Sequence, residues 1–245
     1  MSPASSPRAE LGRRPLILIG DSHAAIHARA LRQVDLPVLA CPLGSAPLFT
    51  KAFAEAGPDG LTLQGEIGAR FARFAAANGL RDLADCQGRL VISLGLAGAL
   101  FYASEDWKWV DFGPQADPGK RYLSAGVIDA MIAGMQAPVV SFIGHCAAAG
   151  LLVAAMMGPP PQKRHPAVQA LGAERVLELA ARCDGPVRDA LAARGIPIIN
   201  VRGVTDAEGL LLEAYWGKDD AHGSQGFSRR MLHELLRVTG RAASR

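Results

Sequence analysis

The chain has 245 residues, 49% of them hydrophobic, and a formal net charge of +3. That is enough apolar material for one sizeable core in a single domain. Its basic residues are scattered, with short clusters at Arg13-Arg14, Lys163-Arg164 and Arg229-Arg230, and only 6% of residues are aromatic. This argues against a nucleic-acid surface, which interleaves a basic stripe with aromatics.

Residues 1–12, rich in Ser, Pro and Ala, read as a flexible tail ahead of a single domain over 13–245. The apolar run Leu16–Ile19 is too short for the h-region of a signal peptide. No uninterrupted apolar stretch approaches the roughly 18 residues of a membrane span; the longest candidate, 147–157, is broken by Gly150. Cys41, Cys86, Cys146 and Cys183 form no CxxC pair, which suggests neither zinc nor a disulfide framework and fits a reducing cytoplasm.

Apolar runs alternate with helical patterns along the chain, the signature of a βαβ series and an α/β fold with a parallel sheet of about five strands. Strand one is 16–19 and leads into a helix over 23–33. Strand two is 37–40, with Pro37 tolerable only at its start. The Gly- and Pro-rich stretch 42–65 reads as an active-face loop or an irregular insertion. A helix over 67–77 stops at Asn78-Gly79, and strand three is 90–94.

Residues 101–121 hold two of the three Trp residues and read as a long excursion over the carboxyl edge of the sheet. A helix over 124–135 starts at Ser124 as N-cap. Strand four is either 139–143 or 151–157; the second is favoured, with 139–149 helical. An amphipathic helix over 168–183, strand five over 196–201 and a closing helix over 224–238 complete the domain.

Two motifs at opposite ends of the domain carry chemistry. Gly20-Asp21-Ser22-His23-Ala24 places a serine where a buried strand ends and a helix begins. In a parallel sheet covered on both faces, ligands bind beyond the carboxyl ends of the strands. The Ser22 N–H then sits at the positive end of a helix, where it can stabilise an oxyanion. Asp219-Asp220-Ala221-His222 spaces a carboxylate three residues before an imidazole, so that the acid can hold one ring nitrogen while the other faces a serine. Each motif alone has an ordinary reading as a turn or helix cap. Their joint occurrence in one domain favours acyl-transfer chemistry.

Gly20-Asp21-Ser22-His23 at the first strand, with Asp219-x-x-His222 before the last helix, resembles the SGNH (GDSL-like) hydrolase superfamily over nearly the whole chain. Pro159-Pro160-Pro161 and His222-Gly223-Ser224 look like a bacterial branch of it. The resemblance implies a flavodoxin-like three-layer αβα fold and a serine esterase or acyltransferase needing no cofactor and no metal. By that match Ser22 is the nucleophile, His222 the general base and Asp219 its orienting acid. Ser22 and Gly44 supply the oxyanion hole, and Asp21, His23, Gly95 and Ala97 line the substrate site. The implied partner is a small-molecule or carbohydrate ester, such as an O-acyl sugar or a natural-product intermediate, with no nucleic acid and no membrane.

One block departs from the pattern. The family follows its third strand with Gly-x-Asn, whose amide donates to the oxyanion; here the run is Gly95-Leu96-Ala97-Gly98. Losing one such donor costs about 100- to 1000-fold in turnover. Three outcomes follow: replacement by Gln64, Gln115 or Lys120 from a loop, a slower enzyme, or a binding protein that has abandoned hydrolysis.

Other motifs carry less. The Gly-x-Ser-x-Gly elbow of α/β-hydrolases needs several strands before its serine, and here one precedes it. His145-Cys146 sits in an Ala- and Gly-rich run and reads as structural. His23 and His27 have helical ligand spacing but no accompanying carboxylates. Gly95–Gly98 is not a dinucleotide fingerprint. Trp107 and Trp109 are equally suited to stacking on a sugar or to plugging the loop onto the sheet. Lys163, Arg164 and His165 read as a solvated loop in preference to an anion site.

Overall fold

The computed structural model describes residues 14–58, 60–96, 98–112 and 117–241. The tail expected over 1–12, together with Ala97 and Gln115, lies outside the described residues.

The chain runs β1 (Leu16–Gly20), α1 (Ser22–Leu31), β2 (Val38–Pro42), β3 (Ala54–Gly57), β4 (Gly60–Leu63), α2 (Gly65–Ala77) and β5 (Leu90–Ser93). It continues with α3 (Ala99–Tyr102), β6 (Val110–Phe112), β7 (Arg121–Leu123), α4 (Ala125–Ala148) and β8 (Leu152–Met156). Last come α5 (Pro166–Leu171), α6 (Ala173–Ala192), β9 (Ile198–Ile199) and α7 (Gln225–Val238). Five strands form one sheet in the order β2-β1-β5-β8-β9, and each of its pairings is parallel. Counted within the sheet this is 2-1-3-4-5, the flavodoxin-like order, whose switch point lies between β1 and β5.

The period of two along each strand divides the apolar residues between the faces. Ile17, Ile19 and Ile92 join Ile67 and Phe71 of α2, Val139 and Phe142 of α4, and Val187 of α6 in one core. Leu16, Leu18 and Val91 join Ala30 of α1 and Phe227, Met231 and Leu235 of α7 in the other. Helices therefore cover both faces, giving the expected three-layer αβα architecture. A third cluster, including Phe101, Trp107, Phe112, Ile128 and Leu179, packs the segment after β5 onto α4 and α6.

Several boundaries differ from the sequence reading. Strand four is β8 within 151–157, while 139–143 lies in α4. Two helices expected over 124–135 and 139–149 are one, with Pro138 inside it. By length and composition α4 is apolar enough to span a bilayer; here Ile132, Val139, Phe142 and Cys146 bury one stripe of it in the cores. The helix expected over 168–183 breaks at Gly172, whose φ of +83° suits glycine, and α6 runs on to Ala192. The loop expected over 42–65 contains a 3-10 turn at Ala46–Thr50 and the β3–β4 hairpin. The 101–121 excursion is ordered by α3 and the parallel β6–β7 pair. Strand five shrinks to two paired residues, Ile198 and Ile199.

Candidate active site

The sheet register assembles the site. Gly20 pairs with Pro42 on one side and with Ser93 on the other. β2, β1 and β5 therefore end side by side at the switch point, on strands spaced about 4.8 Å apart, with Ser22, Gly44 and Gly95 each two residues past these paired positions. Gly20 itself tolerates no side chain, because a Cβ there would lie 2.5 Å from the Ser93 carbonyl oxygen. Close approach of β1 and β5 thus depends on this glycine.

Asp21 is the N-cap of α1, its Oδ1 accepting from His23 N–H at 2.9 Å. Ser22 is then the first helical residue, partly exposed, at the positive end of the helix. Among the described residues, its N–H and that of Gly44 donate to no protein group.

At the other end of the chain, residues 217–222 fold into a tight loop around the Asp219 carboxylate. Asp219 Oδ1 accepts from the N–H of Ala221 at 3.1 Å and of His222 at 2.8 Å. His222 Nδ1 lies 2.9 and 3.0 Å from the two carboxylate oxygens. Partial burial opposes ionisation of Asp219, but these hydrogen bonds outweigh it and hold the carboxyl below its ordinary range. An ionised Asp219 can only accept, so Nδ1 donates to it, and in the neutral ring Nε2 is the acceptor nitrogen. That Nε2 is buried and has no hydrogen-bond partner.

The Ser22 hydroxyl makes no hydrogen bond to Nε2 in this structure, so the serine and the acid–histidine pair are not directly joined. The link between them is His23, whose ring meets that of His222 edge-on at 4.9 Å between centroids. Burial lowers the pKa of His23, with Asp21 opposing and His222 reinforcing the shift. Behind it, burial and then His23 push His27 down to about 3, and its Nδ1 is unpartnered. No group of three or more metal-ligating side chains occurs among the described residues.

Two residues that the sequence reading did not single out as site residues hold the loop. Gln162 is buried, and its Nε2 donates to the carbonyls of Asp219 at 3.1 Å and His222 at 2.7 Å. Its Oε1 accepts from Arg164 Nε at 2.8 Å. Arg164 in turn donates to the carbonyls of Gly217 and Asp219 and lies over the Trp216 ring. Arg164 is therefore a structural cation and not a free one in a solvated loop, and His165 is buried as the N-cap of α5. Only the position of Gln162 just after the Pro159–Pro161 run hinted at it.

Of the candidate replacements for the missing amide, Gln64 and Lys120 sit elsewhere. Gln64 donates to Glu55 on the β3–β4 hairpin, and Lys120 lines a cleft with Asp111 and Arg175. Gln136 of α4 is the amide that reaches this region. Its Nε2 donates to the carbonyls of Gly95 and Cys183, each at 3.0 Å. Trp107 is buried as a plug, with Nε1 donating to the Phe101 carbonyl, while Trp109 is exposed. His145 is exposed, and Cys146 is a buried thiol whose pKa burial raises.

No protein-family model matches this chain, and no curated protein matches it. Among solved structures, it is similar to a GDSL-like lipase from Bacteroides thetaiotaomicron, at 12% identity and a TM-score of 0.47, over 97% of this chain and 91% of the other. A lipase/acylhydrolase from Enterococcus faecalis matches at 13% identity and 0.47, over 93% and 96%. An acetylxylan esterase from Geobacillus stearothermophilus matches at 11% and 0.46, over 95% and 98%.

Proposed function

We propose that this protein is a serine esterase of the SGNH type that cleaves small-molecule or carbohydrate esters. The observation that carries the reading is the Asp219–His222 pair, in which Nδ1 is engaged by a carboxylate while a buried Nε2 is left bare. An unpaired buried polar atom costs about 1–3 kcal/mol, and a base awaiting a proton accounts for it. Ser22 opens a helix at the same switch point, with its own N–H and that of Gly44 unspent.

In this mechanism the Ser22 hydroxyl, which has no competing partner, turns toward His222 Nε2. Ser22 Oγ attacks the ester carbonyl carbon as its proton passes to Nε2, and Asp219 stabilises the imidazolium. The oxyanion is received by the N–H groups of Ser22 and Gly44. Collapse breaks the bond to the alcohol oxygen, which takes the proton from His222. Water then attacks the acyl-Ser22 carbon, passing a proton to Nε2, and the acid leaves as Ser22 Oγ recovers that proton. If an alcohol replaces water in the second step, the outcome is acyl transfer. A non-catalytic binding role is the second reading, motivated by the Gly95–Gly98 run without asparagine.

Labelling with a fluorophosphonate probe separates them. Wild-type labelling that disappears in Ser22→Ala supports the esterase, whereas a folded wild type that never labels would sink it.

A further inference from the structure

His23 stands between the helix that Ser22 begins and the loop that carries His222. It follows Ser22 directly in the first turn of α1, and its own N–H donates to Asp21 Oδ1 at 2.9 Å, which fixes its backbone at the helix start. Its side chain is buried, and the ring meets that of His222 at 62° and 4.9 Å between centroids. Such edge contacts are the arrangement that aromatic rings prefer. One turn further along α1, His27 is buried as well.

The His222 ring needs a second restraint. Asp219 holds it at Nδ1 alone, and the opposite nitrogen, Nε2, has no hydrogen-bond partner. A ring bonded at one nitrogen can still rock about that bond, so its other edge is held by packing.

We propose that His23 is a positioning residue, whose ring braces the His222 imidazole and sets the spacing between the first turn of α1 and the acid–histidine loop. This rests on the esterase reading above. The brace has to be uncharged: His222 takes up a proton in each half-reaction, and a second cation against it would oppose that step. The surroundings meet this demand. Burial lowers the pKa of His23; Asp21 and Asp219 oppose the shift, and a charge on His222 reinforces it. His27 is kept neutral by its own burial.

The test is steady-state hydrolysis of p-nitrophenyl acetate by the full-length protein, each rate corrected with Ser22→Ala. His23→Ala removes the brace. A base displaced by about 1 Å costs about 100-fold, so kcat is expected to fall by that order while KM stays within about twofold. His23→Phe restores a flat, uncharged ring and is expected to recover at least about tenfold of the loss. Because the brace does not titrate, the pH profile of kcat/KM keeps the same acid limb in His23→Phe as in the wild type. His23→Asn, with a shorter side chain, stands in should His23→Ala fail to fold. Relaxation of the His222 ring C–H groups in isotope-labelled protein gives a readout that needs no turnover: the ring is expected to be rigid in the wild type and mobile without the brace. Wild-type kcat or equal ring rigidity in the folded variant lacking the ring overturns the brace and leaves the esterase standing. Equal losses in His23→Phe, or loss of its acid limb, do the same. Absence of Ser22-dependent turnover in the wild type overturns the esterase reading, and the brace with it.

Discussion

Gln162→Ala tests whether the base is held by the loop that surrounds it. The wild-type side chain makes three hydrogen bonds: two from Nε2 to the carbonyls of Asp219 and His222, and one accepted from Arg164. At about 1 kcal/mol net for each bond in a buried site, their loss destabilises the protein by about 3 kcal/mol. For a chain of this size that lowers the melting temperature by roughly 6–12 °C. The kinetic effect is separate. The Gln162 bonds go to the backbone carbonyls of Asp219 and His222 and not to the imidazole, so it acts by placing the backbone that carries the ring. A displacement of about 1 Å costs about 100-fold in rate, so kcat is expected to fall by that order in the folded variant. Calorimetry gives the first number, and ester turnover together with the rate of fluorophosphonate labelling gives the second. Hydrogen exchange at the Ala221 and His222 amides, both bonded to Asp219, should accelerate in parallel. A variant that melts within about 2 °C of wild type and turns over at the wild-type rate would refute the argument.

Three further outcomes are expected. Asp219→Asn leaves the ring without an ionised partner and presents an amide that can hold the wrong tautomer, so kcat should drop by about 10⁴-fold; esterase kinetics with retained far-UV dichroism checks this. Gly20→Ala would set a Cβ 2.5 Å from the Ser93 carbonyl and 2.9 Å from Ser93 Cβ, forcing β1 from β5 at a cost of about 1–3 kcal/mol, readable as a lower urea midpoint. The third concerns Asp184, buried on α6 with Oδ1 unpartnered and raised to about 7 by burial, which the Arg188 charge only partly offsets. Its native pKa exceeds its unfolded value of 3.8, so the folded state binds the extra proton, and stability declines as pH rises from about 4 to about 7. Asp184→Asn removes that part of the slope; denaturation midpoints at pH 5 and pH 8 that differ equally in both proteins would contradict the assignment.

How much of this was legible beforehand depends on the range of the interaction. Leu16–Ile19 and Leu90–Leu94 read as buried strands because a strand covered on both faces favours a nearly continuous apolar run. Asn78-Gly79 marked a helix end, since Gly79 at a φ of +67° takes a conformation that costs glycine nothing. Asp219 and His222, three residues apart, read as a pair because their contact is closed by the loop itself.

What failed were boundaries and partners set from a distance. The sequence reading ended one helix at 135 and began another at 139, yet α4 runs unbroken through Pro138, with Ile132, Val139 and Phe142 buried along it. Strand five shrank because only Ile198 and Ile199 meet a partner on β8. Gln162 reaches 57 and 60 residues along the chain to its acceptors, and no local pattern announces such a bond.

The sequence by itself determined the α/β class, the serine at the end of the first strand and the acid–histidine spacing, all properties of neighbours along the chain. Only the tertiary structure decided that β2, β1 and β5 lie side by side, that Nε2 of His222 is buried and bare, and that Gln162 holds the loop around Asp219. Those depend on strand register and helix packing, which are settled jointly by residues far apart in sequence.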